Sequence, residues 1–140
     1  LRFTLETRML EDDLPLDDLP AAWNALQAEL LNVAPPSDRE GVLQDVHWSM
    51  GAFGYFPTYT IGNLAGAQLF DALRRDHPDV TDQIEAGDLT PVRAWLSRNV
   101  HVHGNIYPAQ ELLERSTGEK LSPDHFLSHL ERKYGDLYDL

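Results

Sequence analysis

The sequence predicts an all-α chain. Apolar residues recur at three- and four-residue spacing in several segments, and prolines and glycines sit where helices would start and stop. No run alternates apolar and polar residues as a strand would, and no internal repeat or low-complexity segment interrupts the pattern.

Leu1, Leu5 and Met9 recur at helical spacing, so the N-terminus reads as the end of a longer helix. Glu11 to Asp18 is an acidic turn. Asp17 or Asp18 is expected to cap the next helix, with Pro20 in its first turn. Trp23, Leu26, Leu30 and Leu31 form the apolar stripe of that helix. Asn32 to Ser37 is a loop. Helical spacing returns from Thr58 to about Arg75 through Ile61, Leu64, Ala65, Leu69 and Leu73. The small residues Gly62, Ala65, Gly66 and Ala67 suggest a close neighbour on that helix. His77-Pro78 ends it, because proline disfavours helix at the residue before it. Asp79 to Ala86 reads as a short helix stopped by Gly87. Thr90-Pro91 opens the next, with Val92, Trp95, Leu96, Asn99 and Val100 facing inward and Gly104 ending it. Tyr107-Pro108 starts a helix through Leu112 and Leu113 that closes near Gly118, and Ser122-Pro123 starts a last one through Tyr134.

At 140 residues the chain could bury one core of ordinary domain size. It has no cysteine, which removes disulfides, thiolate metal sites and cysteine nucleophiles together and permits a reducing cytoplasm, the expected location. Charges at Arg2, Glu6 and Arg8 interrupt any signal-like apolar run, and no stretch approaches the roughly 20 apolar residues of a membrane span. The formal net charge of -12 argues against a nucleic-acid backbone or an anionic membrane as partner.

Gly41 to Gly62, GVLQDVHWSMGAFGYFPTYTIG, fits neither a helical nor a strand period. It gathers His47, Trp48, Phe53, Tyr55, Phe56 and Tyr59 with four glycines, and Asp45 is its one charged side chain. Glycines let backbone and ligand approach closely, aromatics wall an apolar site, and His and Tyr supply hydrogen bonds into it. An aromatic-rich turn that closes a helical core would use the same residues.

The segment resembles the signature of the carboxypeptidase Taq family of zinc metallocarboxypeptidases. A G-x-x-Q-D-x-H-W block matches Gly41, Gln44, Asp45, His47 and Trp48, and a G-Y-F-P-[ST]-Y-x-[LI]-G block matches Gly54 to Gly62. Leu1 to Glu6, LRFTLE, resembles the family's [IL]-R-F-x-L-E block, and the sequence after Trp95 resembles its C-terminal end. The resemblance therefore covers residues 1–140 and implies the helical C-terminal part of a larger all-helical zinc carboxypeptidase. The family's zinc site is an H-E-x-x-H pair, with the Glu as general base, plus a later carboxylate. No H-E-x-x-H occurs in this chain, which opens inside the LRFTLE block on Leu rather than Met. The expectation is a C-terminal fragment: a cloned segment, a proteolytic product or a truncated reading frame. Zinc is then expected in the full-length family enzyme and not on this chain alone.

The resemblance implies site residues. His47 is expected to hydrogen-bond a substrate carbonyl. Tyr59 lies twelve residues on, a spacing similar to that of oligopeptidases of the thimet type, in which a Tyr stabilises the oxyanion. Tyr55 is the alternative donor. Each would otherwise be a buried aromatic with a satisfied polar tip. Arg2, inside the LRFTLE block, is the candidate for gripping the free carboxylate of a peptide C-terminus, against a structural ion pair. Gln44 and Asp45 are expected to orient neighbours by hydrogen bonds, Asp45 toward His47 or the imidazole of a metal ligand.

Two further histidine pairs read as structural. His125 and His129 share a helix face without an intervening Glu, and their flanks read as solvated. His101 and His103 point apart beside a helix end at Gly104. Three functions fit: the substrate-binding wall of a metallocarboxypeptidase acting on peptide C-termini, a related but inactive binding or regulatory module, and a bare helical packing domain. The first implies a homodimer, and self-association of this chain is expected.

Overall fold

The computed structural model describes residues 1–139, so Leu140 lies outside the described residues. Among these the chain is helical without a strand, as its periodicity predicts. The helices are α1 (Arg2–Glu11), α2 (Leu19–Leu31), α3 (Pro57–Asp76), α4 (Val80–Glu85), α5 (Thr90–Asn99), α6 (Ala109–Thr117) and α7 (Asp124–Tyr138). Short 3-10 turns stand at Leu16–Asp18, Val42–Gln44, Trp48–Met50 and His101–His103. The chain divides into two compact units, Leu1–Thr60 and Ile61 onward, with the boundary inside α3.

In the first unit, Leu5, Trp23 and Val42 form the buried centre, with Leu1, Leu14, Leu19, Ala22, Leu26 and Trp48 packed around it. Leu5 is fully enclosed at 0% exposure, and truncating such a side chain to Ala costs about 2–5 kcal/mol. The Trp23 and Trp48 rings meet edge to face at 6.3 Å. The Trp23 indole N–H, which could not be buried without an acceptor, donates to Gln27 Oε1 one turn on at 2.6 Å.

Two expectations fail in α2. Asp18 occupies the cap position but makes no capping bond. The preceding 3-10 turn has already drawn its backbone into the helical region (φ −89, ψ −9), whereas a capping side chain needs an extended backbone to reach forward. Leu30 and Leu31 are exposed, so the buried stripe ends at Leu26.

The second unit packs Ala72 and Leu73 of α3 against Val80 and Trp95, with Leu69, Phe70, Ile84, Val92, Leu96 and Val100 around them. Trp95, 1% exposed, donates its indole N–H to Asp76 Oδ2 at 2.8 Å. The helix from Thr90 stops at Asn99 rather than running to Gly104. Val100 leaves helical geometry (φ −124), and a 3-10 turn covers the remainder. The expected close neighbour is not found at the two glycines of α3: among the described residues, a Cβ on Gly62 or Gly66 would meet no atom within 4 Å.

A buried amide organises the turn between α6 and α7. Gly118 takes the left-handed conformation (φ +91) that ends α6, a geometry open to glycine at little cost. The strand of backbone that follows is held by Gln68, 1% exposed. Its Nε2 donates to Thr117 Oγ1, Glu119 O and Lys120 O at 3.0–3.2 Å. Its Oε1 accepts the Ser122 N–H at 3.1 Å.

His125, expected on a solvated face, is instead half-buried between two carboxylates. Its Nδ1 lies 2.9 Å from Asp71 Oδ2 and its Nε2 2.8 Å from Glu119 Oε1. Both ring nitrogens can donate only in the charged form. The Asp71 bond raises the His125 pKa, burial opposes it, and the Glu119 bond and both negative charges raise it further. A pKa above the unfolded value adds stability that is complete below the unfolded pKa and is lost as pH rises through the folded one. The loss in stability on His125→Ala should therefore be larger at about pH 5.5 than at about pH 8.5. Urea midpoints at the two pH values measure this, and an equal loss at both would remove the charged clamp.

Candidate functional site

The candidate site lies within the first unit, where the first turn of α1 meets the aromatic segment. After the 3-10 turn at Val42–Gln44, Asp45 is extended (φ −108, ψ 144). His47 opens the next 3-10 turn, Trp48–Met50. Gly51 and Gly54 adopt positive φ (75 and 76) and turn the chain back toward α3. Tyr55 and buried Phe56 follow, and Tyr59 stands in the first turn of α3.

Arg2 is held from several sides. Its Nε pairs with Asp45 Oδ2, and its Nη2 donates to Gln44 Oε1 at 3.3 Å. Its guanidinium lies 5.3 Å from the Trp23 ring centre and 5.5 Å from that of Phe56, within cation–π range. The planar guanidinium is thus fixed in direction while its side chain remains 35% exposed.

His47 is enclosed by aromatics. Its ring lies 4.6 Å from Phe56, stacks on Tyr55 at 5.5 Å and meets Tyr59 edge-on at 6.2 Å. Nε2 is 3.3 Å from the Tyr59 hydroxyl. Nδ1 is buried without a hydrogen-bond partner among the described residues, and Asp45 Oδ1 stands 4.0 Å away. An unmatched buried nitrogen is costly in a merely structural histidine. The arrangement has two hydrogen-bonding states. With Nε2 as acceptor, Tyr59 gives its one proton to His47. With a proton on Nε2, in the neutral Nε2–H tautomer or the charged form, His47 donates to the phenol oxygen and the phenol proton is free for another acceptor. Although Tyr59 is 53% exposed, partial loss of water around its hydroxyl, then the neighbouring Tyr55 and the Asp45 charge, push the phenol above its ordinary range.

Arg2, Asp45, His47 and Tyr59 line one cleft of about 440 Å³, with Leu1, Phe3, Phe56, Pro57 and Thr60. Tyr55 and Gln44 do not line it: Tyr55 stacks behind His47, and Gln44 braces Arg2. The predicted residues thus come together, at sequence separations of up to 57 positions between Arg2 and Tyr59. Glu6 was not among them. It is 4% exposed and accepts the Trp48 indole N–H at 2.8 Å and the Gly54 N–H. Its place as the last residue of LRFTLE was the available signal. His103 packs edge-on to Tyr107 at 5.4 Å. Among the described residues no group of three or more His, Asp or Glu side chains is placed to hold a metal ion. With one imidazole and one carboxylate, His47 and Asp45, the cleft lining falls short of the donor set that a zinc ion takes.

Comparison with known proteins gives a consistent picture. Residues 1–134 match the family model for the carboxypeptidase Taq (M32) metallopeptidases. Thermostable carboxypeptidase 1 of Pyrococcus furiosus is 41% identical over 134 residues, which cover 96% of this chain and 27% of that protein. Carboxypeptidase 1 of Bacillus subtilis is 36% identical over 138 residues, 99% of this chain and 28% of that protein. The crystal structure of an M32 carboxypeptidase from Deinococcus radiodurans R1 superposes with a TM-score of 0.93 at 40% identity, over 99% of this chain and 28% of that one. The chain spans little more than a quarter of the length of each.

Replacing Tyr55 by Phe should lower the Tyr59 pKa toward the ordinary tyrosine value, because a neighbouring phenol that raises it is removed. Titration of the Tyr59 ring resonances by NMR reads the shift. An unchanged titration would mean that Tyr55 exerts no electrostatic effect on the pair.

Proposed function

Because the chain belongs to the carboxypeptidase Taq (M32) metallopeptidase family, we propose that residues 1–140 form the C-terminal helical region of a metallocarboxypeptidase and carry its substrate-binding wall. The observation behind this reading is the shared cleft, in which a fixed cation and a His–Tyr hydrogen-bonding pair face the same space. A peptide C-terminus needs both. Its free carboxylate calls for a planar, oriented guanidinium, the role given to Arg2. Its scissile carbonyl oxygen gains negative charge during hydrolysis and calls for a positioned donor, the role given to Tyr59. His47 holds the phenol in place and, when its Nε2 carries a proton, frees the phenol proton for that oxygen. Asp45 and Gln44 keep Arg2 aimed, and Tyr55 backs the His47 ring.

A longer protein that supplies the H-E-x-x-H pair, zinc as its metal, a homodimeric assembly and a cytoplasmic location are part of the same proposal. The exposed apolar side chains Leu43, Val46 and Met50 of the first unit support self-association. No helix among the described residues is long and apolar enough to cross a membrane.

In the metal-bound full-length enzyme, His47→Ala and Tyr59→Phe should each lower kcat by about 10²–10³-fold, the usual cost of one lost oxyanion donor. KM should change far less, because these bonds strengthen in the transition state. Steady-state release of C-terminal amino acids measures both, and near-wild-type turnover would return the pair to a packing role. The 140-residue chain by itself should release no C-terminal amino acids with or without added zinc, since it lacks the metal motif and general base. Metal-dependent release by the purified chain would overturn that expectation. Peptide binding without hydrolysis by the longer protein would favour a carboxypeptidase-related binding or regulatory module.

A further inference from the structure

We infer that Glu6 is a positioning residue of the cleft, whose carboxylate ties both ends of the 48–54 loop to α1 and thereby sets the distances between His47, Tyr55 and Tyr59. The inference rests on the reading of that cleft as the substrate-binding wall.

The geometry carries it. The two carboxylate oxygens have different partners: Oε2 accepts the indole N–H of Trp48 at 2.8 Å, and Oε1 accepts the backbone N–H of Gly54. Trp48 immediately follows His47, and Gly54 immediately precedes Tyr55. One side chain therefore anchors the exit from His47 and the entry to the tyrosines. The loop between the anchors has little burial of its own, since Met50 is 75% exposed and Phe53 43%. Its internal bonds, such as Ala52 N–H to His47 O at 2.8 Å, shape the turn but do not attach it to α1. Gly54 must hold a left-handed φ of +76 for the chain to turn into Tyr55, and its N–H is the group that Glu6 receives. Arg2, one helical turn before Glu6, is engaged by Asp45 and Gln44 on the other approach to His47. α1 thus grips the aromatic segment at two points from one face.

Charge-assisted acceptance from two N–H groups is what allows the carboxylate to remain buried. In Glu6→Gln the amide keeps one acceptor oxygen and turns an NH2 group toward the second donor, so one anchor must open. Trp48→Phe removes the indole donor and keeps an aromatic ring. In the double variant the glutamine oxygen is free to take the Gly54 N–H. Rescue by Trp48→Phe is therefore specific to the anchoring role.

The test is NMR on the isotope-labelled 140-residue chain, reading the nuclear Overhauser contacts of the His47 ring with the Tyr55 and Tyr59 rings. Contacts of Gln68 with Thr117 report independently on the second unit. Glu6→Gln should lose the His47–tyrosine contacts and retain the Gln68 contacts, and Glu6→Gln/Trp48→Phe should recover the His47–Tyr55 contact. Intact contacts in Glu6→Gln, or loss without recovery in the double variant, would overturn the inference. If Glu6→Gln does not fold, Trp48→Phe alone decides: the Gly54 anchor should keep the His47–Tyr55 contact while the His47–Tyr59 contact weakens, and an unchanged set or loss of both contacts would overturn the inference. In the metal-bound full-length enzyme, Glu6→Gln should lower kcat on the order of 10²-fold, the penalty of misplacing reacting groups by about 1 Å, with KM changed less than about twofold. A full-length protein without hydrolytic activity would count against the proposed function, while the NMR outcome would still decide the role of Glu6.

Discussion

A carboxylate buried beside the Leu5–Trp23–Val42 centre governs the first unit. Ordinary side chains at that depth contribute by excluding water, but a charged one imposes a constraint: it must be given donors, and they must come from somewhere. For Glu6 they come from the aromatic segment, more than forty residues further along the chain. The segment from Asp45 to Gly54 carries no α-helix of its own to hold it. It is held by what α1 demands of it, through Glu6 and through the Arg2–Asp45 pair. Hydrophobic packing of Trp48 against Trp23 and Phe56 supplies burial, and the polar contacts supply direction.

Direction is what the cleft requires. The imidazole of His47 is pinned on three sides by rings, so its Nε2 has one place to point, the Tyr59 hydroxyl. The unmatched Nδ1 stands short of bonding distance from Asp45, whose other oxygen is taken by Arg2. Arg2, Asp45 and His47 thus stand in one line of contacts, Arg2 on Asp45 Oδ2 and His47 Nδ1 4.0 Å from Asp45 Oδ1. The second unit meets its buried polar groups differently, with one amide, Gln68, satisfying a whole turn and one histidine bridging two acids.

Local chemistry made much of this legible. Periodicity and punctuation located α1 to α7 because each helix carries its own apolar stripe and stop signal. The two signature blocks named His47, Tyr55, Tyr59, Gln44 and Asp45, and the opening block named Arg2. What escaped depends on partners distant in sequence. Glu6 looks like any acid on a helix until Trp48 and Gly54 arrive. His125 looks solvated because Asp71 is 54 residues away. The missing Asp18 cap follows from a 3-10 turn that propensity does not resolve, and Gly62 and Gly66 face open space where composition suggested a neighbour.

The proposed role of the cleft depends on its accepting a peptide C-terminus through the free carboxylate. The most direct measurement is an NMR titration of the 140-residue chain with a short peptide ending in a free carboxylate and, in parallel, with the same peptide amidated. Saturable shifts at Arg2, His47 and Tyr59 are expected with the free acid, and their loss with the amide. Equal responses to both peptides, or shifts confined to residues outside the cleft, would contradict it.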